Sequence, residues 1–277
     1  APRRRALCFR MALGLAAYLF MPTLSPPRHM TAHVCDVGHG TAILVQMPCG
    51  RNWLFDAGSR DRKGVAKRAL LPLLRRHAVT ELHVVISHGD RDHQAALARI
   101  ASRIKVLSYT GPAPSFGFEK AETVADSGVD WDLGTGWLQT SVCSLGRCRS
   151  RVLRGLNESG NEGSRNLWLE CDGQAILLCG DAEDEGLANI FPQLNPRAPL
   201  AALLIPHHGS KQKNLHRLIS HTLPDQVWFS ASQHSPLAQN WPYENITTRW
   251  TARDGPWSVE FKPIGESAGN LLHRAPY

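Results

Sequence analysis

Short apolar runs, each ended by Gly, Pro or a polar cluster, follow one another along most of the chain. Three of them lie close together, at residues 33–37, 41–47 and 52–58, and their short separations predict an antiparallel meander. Residues 64–77 have apolar positions at helical spacing with Lys and Arg between them, which predicts an amphipathic helix. The run 82–87 then predicts a buried strand.

The second half of the chain repeats one theme, an apolar run that ends in polar residues. These runs lie at 167–171, 175–181, 202–208 and 227–231. Helical segments between and after them are predicted at 183–190, 214–222 and 244–250. Two halves, each with strands followed by helices, predict an α/β protein of two face-to-face sheets with helices outside.

The N-terminal segment has a different pattern. Residues 6–24 are apolar over 19 positions except for Arg10, about the length that crosses roughly 30 Å of hydrocarbon. Arginines precede this segment, which predicts a cytoplasmic N-terminus and a body on the outer side of the membrane. We interpret residues 1–30 as a residual transmembrane helix with a Pro-rich linker, and residues 31–277 as one folded domain. A cleaved signal peptide and a buried helix are the alternatives.

Charge changes this picture little. The chain has 31 Lys and Arg against 24 Asp and Glu, a net charge of +7. Five of the cations and none of the acids lie in residues 1–30, so the remaining 26 cations nearly balance the 24 acids. The net charge is therefore no argument for a nucleic-acid surface, and only local clusters are candidates for one. These candidates form three clusters: Arg147, Arg149, Arg151 and Arg154; Lys211 and Lys213; and Arg60, Arg62, Lys63, Lys67 and Arg68.

The seven cysteines show no CxxC pair with zinc-site spacing. Cys35, Cys171 and Cys179 lie in apolar runs and are predicted to be core residues. Cys143 and Cys148 flank a short loop, and they form a disulfide only if the domain faces an oxidising compartment.

Candidate metal ligands follow three of the predicted strands. His88, Asp90, Asp92 and His93 lie within six residues, and Asp181 ends a later strand. Imidazole nitrogen combined with carboxylate oxygen suits Zn, Mn or Fe, and the number of ligands allows two metals.

A third cluster, at residues 206–210, also ends a strand. Adjacent residues of a strand point to opposite faces, so only one of the two histidines here is expected to be a ligand. We favour His207 as the ligand and His208 as a substrate contact, with Ser210 as a supporting hydrogen-bond donor.

The three clusters, in this order, resemble those of the metallo-β-lactamase fold. Residues 35–45, CDVGHGTAILV, and 53–59, WLFDAGS, are similar more narrowly to the C-terminal domain of the ComEC competence proteins, which take up DNA. The resemblance covers residues 32–231. His39 and Thr41 stand where that family has Gln and Asp, and its Asn-Tyr-Gly-His-Pro element is not recognisable in residues 230–246.

The resemblance implies an αββα sandwich of two face-to-face mixed sheets flanked by helices, preceded here by the partial transmembrane segment. It implies one or two divalent metal ions, Zn or Mn, that activate a water for attack on phosphorus. His88 and Asp90 are expected to hold one metal and Asp92, His93 and His207 the other, with Asp181 between them. Asp92 and His208 are the expected catalytic residues, and Asp56 is an expected supporting residue near the histidines.

Three functions remain open at this point. The first is a metal-dependent nuclease domain of a DNA-uptake channel, which degrades the strand that is not imported. Its expected partners are single- or double-stranded DNA, the membrane channel portion of the same protein and other DNA-uptake proteins, with the domain on the outer face of the inner or plasma membrane. The second is a non-catalytic DNA-binding or structural domain. The third is hydrolysis of a small ester, thioester or lactam, because one fold hosts many reactions.

Overall fold

A computed structural model of the chain describes residues 26–112, 130–131, 138–139, 148–156, 160–194, 200–210, 212–263 and 271–274. The apolar segment 6–24, Cys143, Arg147 and Lys211 lie outside the described residues. Within the described part of the chain, no helix is both long enough and apolar enough to span a membrane. The division of the chain at residue 30 therefore stays a prediction.

The first sheet has seven strands in the order β15-β14-β1-β2-β3-β4-β5. Their bounds are β1 Met30–Val34, β2 Ile43–Gln46, β3 Asn52–Phe55, β4 Glu81–Val85, β5 Lys105–Thr110, β14 Trp257–Phe261 and β15 Leu271–Arg274. The predicted meander is confirmed, because β1, β2 and β3 pair antiparallel in sequence order. The next two strands pair parallel, β3 with β4 and β4 with β5.

The second sheet has six strands in the order β13-β12-β11-β10-β9-β8. Their bounds are β8 Cys148–Arg154, β9 Arg165–Cys171, β10 Gln174–Leu178, β11 Leu200–Leu204, β12 Gln226–Phe229 and β13 Thr247–Trp250. From β10 to β13 neighbouring strands are parallel, whereas β8, β9 and β10 are antiparallel. A separate pair consists of β6, Asp130–Trp131, and β7, Leu138–Gln139.

Helices connect the parallel strands and cover both sheets. The first is continuous through a π-helical turn, Ala66–Leu70, and an α-helical part, Leu71–Arg76. The others are Arg91–Gln94, Leu97–Ala101, Asp184–Ile190, Leu215–Thr222, Pro236–Gln239 and Thr251–Asp254, with 3₁₀ turns at Phe191–Gln193 and Pro206–Gly209.

Apolar side chains form three layers, and these layers define the sandwich. The central layer lies between the sheets and includes Phe55 of β3, Ile176 of β10 and Trp228 of β12, all fully buried. An outer layer packs the first sheet against the helices that contain Leu73 and Ile100, and another covers the outer face of the second sheet. The molecule is therefore an αββα sandwich of two mixed sheets, as expected from the sequence.

The parallel strands explain where the polar clusters meet. The carboxyl ends of β3 and β4 lie side by side in one sheet, and those of β10 and β11 lie side by side in the other. Because the two sheets are packed face to face, residues just after these four strands gather at one edge of the sandwich.

Two sequence expectations are corrected here. The helix predicted at residues 244–250 is instead a strand, Thr247–Trp250, which pairs parallel with β12 at the edge of its sheet. Its threonines favour extended backbone, and the ladder with β12 gives that backbone its hydrogen bonds. The first strand begins at Met30 and ends at Val34, because the chain leaves the sheet at Cys35 to form the loop that contains Gly38.

The disulfide also differs from the expected one. Cys148 is bonded to Cys171, which is its direct partner across the β8–β9 ladder, and not to Cys143. Cys171 is buried as expected, but its sulfur forms the cross-strand disulfide and is not a free thiol. The spacing of Cys143 and Cys148 did not show which strands lie side by side.

Removing this disulfide is expected to destabilise the domain. The bond joins residues 23 positions apart, so the variant Cys148→Ser/Cys171→Ser is expected to lose about 3 kcal/mol of unfolding free energy in urea titrations. Dithiothreitol should lower the stability of the wild-type protein by a similar amount and leave the variant unchanged. Equal stability of the oxidised protein and the variant would contradict the assignment, as would a non-reduced peptide map without the Cys148–Cys171 pair.

Candidate metal centre

Asp181 is the meeting point of the predicted ligands. It follows β10 from the second sheet, and the loop after β4 of the first sheet faces it. The Nε2 atom of His93 lies 3.3 Å from its Oδ1, while those of His208 and His88 lie 3.7 and 3.9 Å from its Oδ2. His207 is more distant, with its Nε2 4.0 Å from the same oxygen. Both sheets therefore contribute to one cluster.

Three of these histidines have a free nitrogen turned towards the cluster. The Nε2 atoms of His88, His93 and His208 are buried and have no hydrogen-bond partner among the described residues. The opposite nitrogen is held in all three rings. Nδ1 of His93 lies 2.7 Å from Asp56, Nδ1 of His208 lies 2.7 Å from the carbonyl oxygen of Ser230, and Nδ1 of His88 lies 3.0 Å from the hydroxyl of Ser87. A ring that donates from Nδ1 presents an Nε2 lone pair, which is the form that binds a metal.

Asp56 holds the first sheet's half of the cluster. It is fully buried just after β3, with a φ of 54°, a left-handed conformation that Asp tolerates better than most residues. Its carboxylate accepts hydrogen bonds from the backbone N–H and the hydroxyl of Ser87, at 2.7 and 2.9 Å, besides its contact with His93. These bonds fix the orientation of the His93 ring.

The buried acids and the histidines shift one another's pKa values. Burial disfavours the charged ring, but Asp56 and Asp181 raise the pKa of His93 well above its usual value. Burial likewise opposes ionisation of Asp181, but His93, His208 and His88 hold its pKa below the usual range. Asp181 is thus ionised, and the cluster attracts positive charge.

The geometry favours His208 over His207 as a ligand. The side chain of His208 is 6% exposed and its Nε2 also lies 3.6 Å from Asp92, whereas His207 is 29% exposed and its Nδ1 lies 3.4 Å from Glu183. Both histidines have left-handed φ angles, 50° for His207 and 52° for His208. The alternation of a strand, from which only one of the two histidines was expected to be a ligand, does not apply in this 3₁₀ turn.

Asp90 lies at the rim of the cluster. Its side chain is 68% exposed, and its Oδ2 lies 3.5 Å from Nε2 of His88. It is within reach of a shared metal, and its role as a ligand stays a prediction. Ser210 contributes its backbone N–H to the carbonyl oxygen of His207, and the predicted role of its hydroxyl also stays a prediction.

A second group of donors forms around Asp92. Nε2 of His39 lies 3.4 Å from Oδ2 of Asp92, and the ring centroids of His39 and His208 are 4.6 Å apart. In the sequence His39 stands out only as a departure from the family's glutamine. The signal that identifies it is a histidine between two glycines in a loop that follows β1.

Sequence reasoning also missed the polar side chains that fix Asp181. The hydroxyl oxygen of Ser164 accepts a hydrogen bond from the backbone N–H of Asp181 at 3.2 Å. The side-chain oxygen of Asn166 accepts one from the N–H of Gly180 at 3.0 Å. A Cβ atom on Gly180 would lie 2.4 Å from Cβ of Ser87, so only glycine allows this close approach of the two sheets. These residues belong to ordinary strand and turn patterns, and nothing in the sequence marks them.

Among the curated proteins similar to the chain are proteins named for recombination and competence. It is 28% identical over 217 residues to Recombination protein 2 of Haemophilus influenzae, covering 77% of this chain and 25% of that one. It is 24% identical over 250 residues to Competence protein ComA of Neisseria gonorrhoeae, covering 90% and 33%. ComE operon protein 3 of Bacillus subtilis is 24% identical over 223 residues, covering 72% and 28%. The chain is therefore similar to proteins of the ComEC family.

The relation concerns part of those proteins. The chain spans about a quarter to a third of the length of these ComEC-family relatives. No protein-family model matches the chain.

Solved structures agree with the fold. A CmlA β-hydroxylase variant is 13% identical, with a TM-score of 0.50 over 85% of this chain and 54% of that one. The metallo-β-lactamase fold protein YhfI of Bacillus subtilis is 10% identical, with a TM-score of 0.49 over 80% and 95%. The chain has the metallo-β-lactamase fold, and at these identities the likeness extends to the fold alone.

A cavity of about 400 Å³ gives access to the cluster around Asp181. Asp92 and Asp181 line it together with His207, and two exposed cations, Arg60 and Arg91, stand at its edge. The open side of the cluster is therefore acidic at its base and basic at its rim.

Of the predicted DNA-contact residues that the structure describes, Arg60 lines this cavity, and Arg149, Arg151 and Lys213 do not. Arg151 is buried, and its guanidinium donates to the carbonyl oxygen of Gln193, which leaves it no surface for DNA. Arg149 is exposed, but it lies five positions from the end of β8 that is near the site, roughly 17 Å along the strand. Lys213 is exposed just beyond the third cluster, and its contact with DNA stays a prediction.

The two adjacent histidines allow a matched test of metal binding. His208→Ala is expected to weaken Mn²⁺ or Zn²⁺ binding by more than about tenfold, because it removes a buried Nε2 from the cluster. His207→Ala, which alters the exposed neighbour, is expected to change the affinity less than about threefold. Isothermal titration of both variants measures the difference, and the reverse order would restore the ligand role to His207.

Proposed function

We propose that this domain is a metal-dependent phosphodiesterase that cleaves DNA, and that it degrades the strand that a DNA-uptake system does not import. One observation carries the proposal. Among the described residues, three buried histidine Nε2 atoms without hydrogen-bond partners converge on Asp181, and Asp92 lies beside them. Buried polar atoms are normally paired, so this arrangement points to a bound cation.

The residues present fit one or two divalent cations. His88, His93 and Asp181 form one group of three donors, and Asp92 with His208 belongs to another. Imidazole and carboxylate together suit Zn²⁺ and Mn²⁺. When bound, such ions polarise a phosphoryl oxygen and make water a nucleophile near neutral pH.

Asp92 is placed to orient the attacking water. Burial favours its neutral form, but the nearby His208 and His93 lower its pKa to about 2. It is therefore a carboxylate at neutral pH, able to accept a hydrogen bond from water in the cavity that it lines. His207 also lines the cavity and is paired through Nδ1 with Glu183, so we assign it protonation of the leaving oxygen.

The rim of the cavity favours a phosphate ester over an uncharged ester. Arg60 and Arg91 are exposed and line the same cavity as Asp92. Guanidinium groups bind phosphate oxygens in pairs and hold the backbone of a nucleic acid in register. A small carboxylic ester has no charge for these two cations to bind.

The relatives and the disulfide support the biological setting. The matched proteins are named as recombination and competence proteins, and the ComEC family takes up DNA. A disulfide is typical of proteins outside the reducing cytosol, which agrees with a domain on the outer face of the plasma membrane. We propose that its partners are single- or double-stranded DNA, the membrane channel portion of the same protein and other DNA-uptake proteins.

A nuclease assay tests the activity. The domain, reconstituted with Mn²⁺ or Zn²⁺, is expected to cleave single- or double-stranded DNA, and a chelator is expected to abolish cleavage. Asp92→Asn should lower the rate by more than about a hundredfold, because the lost charge is worth at least about 2.7 kcal/mol in the transition state.

Asp172→Asn is the matched control. Asp172 lies in the turn between β9 and β10, at the end of those strands remote from the site. The Asp172→Asn variant should cleave DNA at the wild-type rate. Tight DNA binding without cleavage at any metal concentration would favour the non-catalytic alternative, and faster cleavage of p-nitrophenyl acetate than of a phosphodiester would favour the small-ester hydrolase.

A further inference from the structure

We propose that His39 is a metal ligand, and that it completes a second cation position with Asp92 and His208. The proposal deepens the proposed function and rests on it, because both require divalent cations at this site. It concerns a residue of this chain that differs from the glutamine of the ComEC motif.

The distances fit a shared ion. One donor atom from each of the three residues lies within 4.8 Å of the others. Nε2 of His39 lies 3.4 Å from Oδ2 of Asp92, and Nε2 of His208 lies 3.6 Å from the same oxygen. Two ligand atoms about 2.1 Å from a tetrahedral zinc are roughly 3.4 Å apart, so little movement is needed to close the site.

The backbone around His39 is fixed independently of any ion. Its N–H donates to Asp61 at 3.0 Å, and its carbonyl oxygen accepts from the N–H of Arg60 at 2.7 Å. Ser230, from the second sheet, donates its hydroxyl to the carbonyl oxygen of Gly40 at 2.7 Å. The loop is therefore tied to both sheets, and the histidine is not on a free strand end.

The loop of His39 also lies directly against the ligand loop. The N–H of Thr41 donates to the carbonyl oxygen of Asp92 at 3.1 Å. A Cβ atom on Gly40 would lie 2.7 Å from that oxygen and 2.7 Å from the carbonyl oxygen of Gly58. Such close approach holds the position of His39 relative to Asp92.

Allocation of donors supports two cations. His208 has one available Nε2, because its Nδ1 is bonded to the carbonyl oxygen of Ser230. If His208 joins His39 and Asp92, the remaining donors His88, His93 and Asp181 form a complete group of three. Each cation then has three protein ligands, the number typical of catalytic sites that keep a position open for water or substrate.

Cobalt binding measures the stoichiometry without reference to activity. The wild-type domain is expected to bind two equivalents of Co²⁺, each adding to the visible d–d absorption. His39→Gln, which keeps a polar side chain but removes the imidazole, is expected to bind the second equivalent at least about tenfold more weakly and to lose its part of the spectrum. The first equivalent should be unchanged.

His216→Gln is the matched control. His216 is exposed on the helix Leu215–Thr222, and its ring is hydrogen-bonded to Tyr243, which does not line the cavity. This variant should bind both equivalents as the wild type does. In chelator, all three proteins should melt at similar temperatures.

The outcomes separate the two proposals. The role of His39 is overturned if His39→Gln binds both equivalents of Co²⁺ with wild-type affinity and spectrum. It is also overturned if the wild type binds only one equivalent and the variant binds that equivalent equally well. In both cases the proposed function stands. If the wild type binds no divalent cation, the proposed function fails as well. Should the variant not fold, diethyl pyrocarbonate labelling of the wild type decides, since saturating Co²⁺ should slow modification of His39, and an unchanged rate would overturn the proposal.

Discussion

Two carboxylates buried at the junction of the sheets set the constraint on which the site depends. Asp56 is fully buried and Asp181 nearly so, and an ionised carboxylate without a partner in such surroundings costs several kcal/mol. His93 lies between them, 2.7 Å from one and 3.3 Å from the other. Its place in the loop after β4 is therefore a condition for folding as well as for chemistry.

Assembly of the site and packing of the sheets are one event. Each sheet contributes one of the buried acids. Asp56 is satisfied within the first sheet's half by Ser87 and His93, whereas Asp181 gains His93 and His88 only when the sheets meet. The junction is closed by backbone bonds, since the N–H of Arg165 donates to the carbonyl oxygen of Ser87 at 3.0 Å. On the other side of the cluster, the hydroxyl of Ser230 reaches the carbonyl oxygen of Gly40. Small residues at these contacts allow the approach that the hydrogen bonds require.

The sequence predicted the strands and the polar clusters because both depend on local pattern. It could not predict features that depend on which segments become neighbours. The choice between His207 and His208 turned on a left-handed backbone, and the bond of Cys148 to Cys171 turned on strand register. His39 comes from a loop far from the other donors in the sequence, so only the fold shows its approach to Asp92.

Electrostatics at the site is also local, and it separates the roles of acidic and basic residues. The net charge of +7 is concentrated partly in residues 1–30, and the exposed Arg149 lies well away from the cavity. The cations that matter for a phosphate are those held at its rim, Arg60 and Arg91. Both are tied to residues of the metal cluster. The backbone N–H of Arg60 donates to the carbonyl oxygen of His39, and Arg91 directly precedes Asp92. Ordering of the metal ligands therefore also positions the phosphate contacts. The acidic base of the cavity attracts cations, while its basic rim attracts the anionic backbone of a nucleic acid.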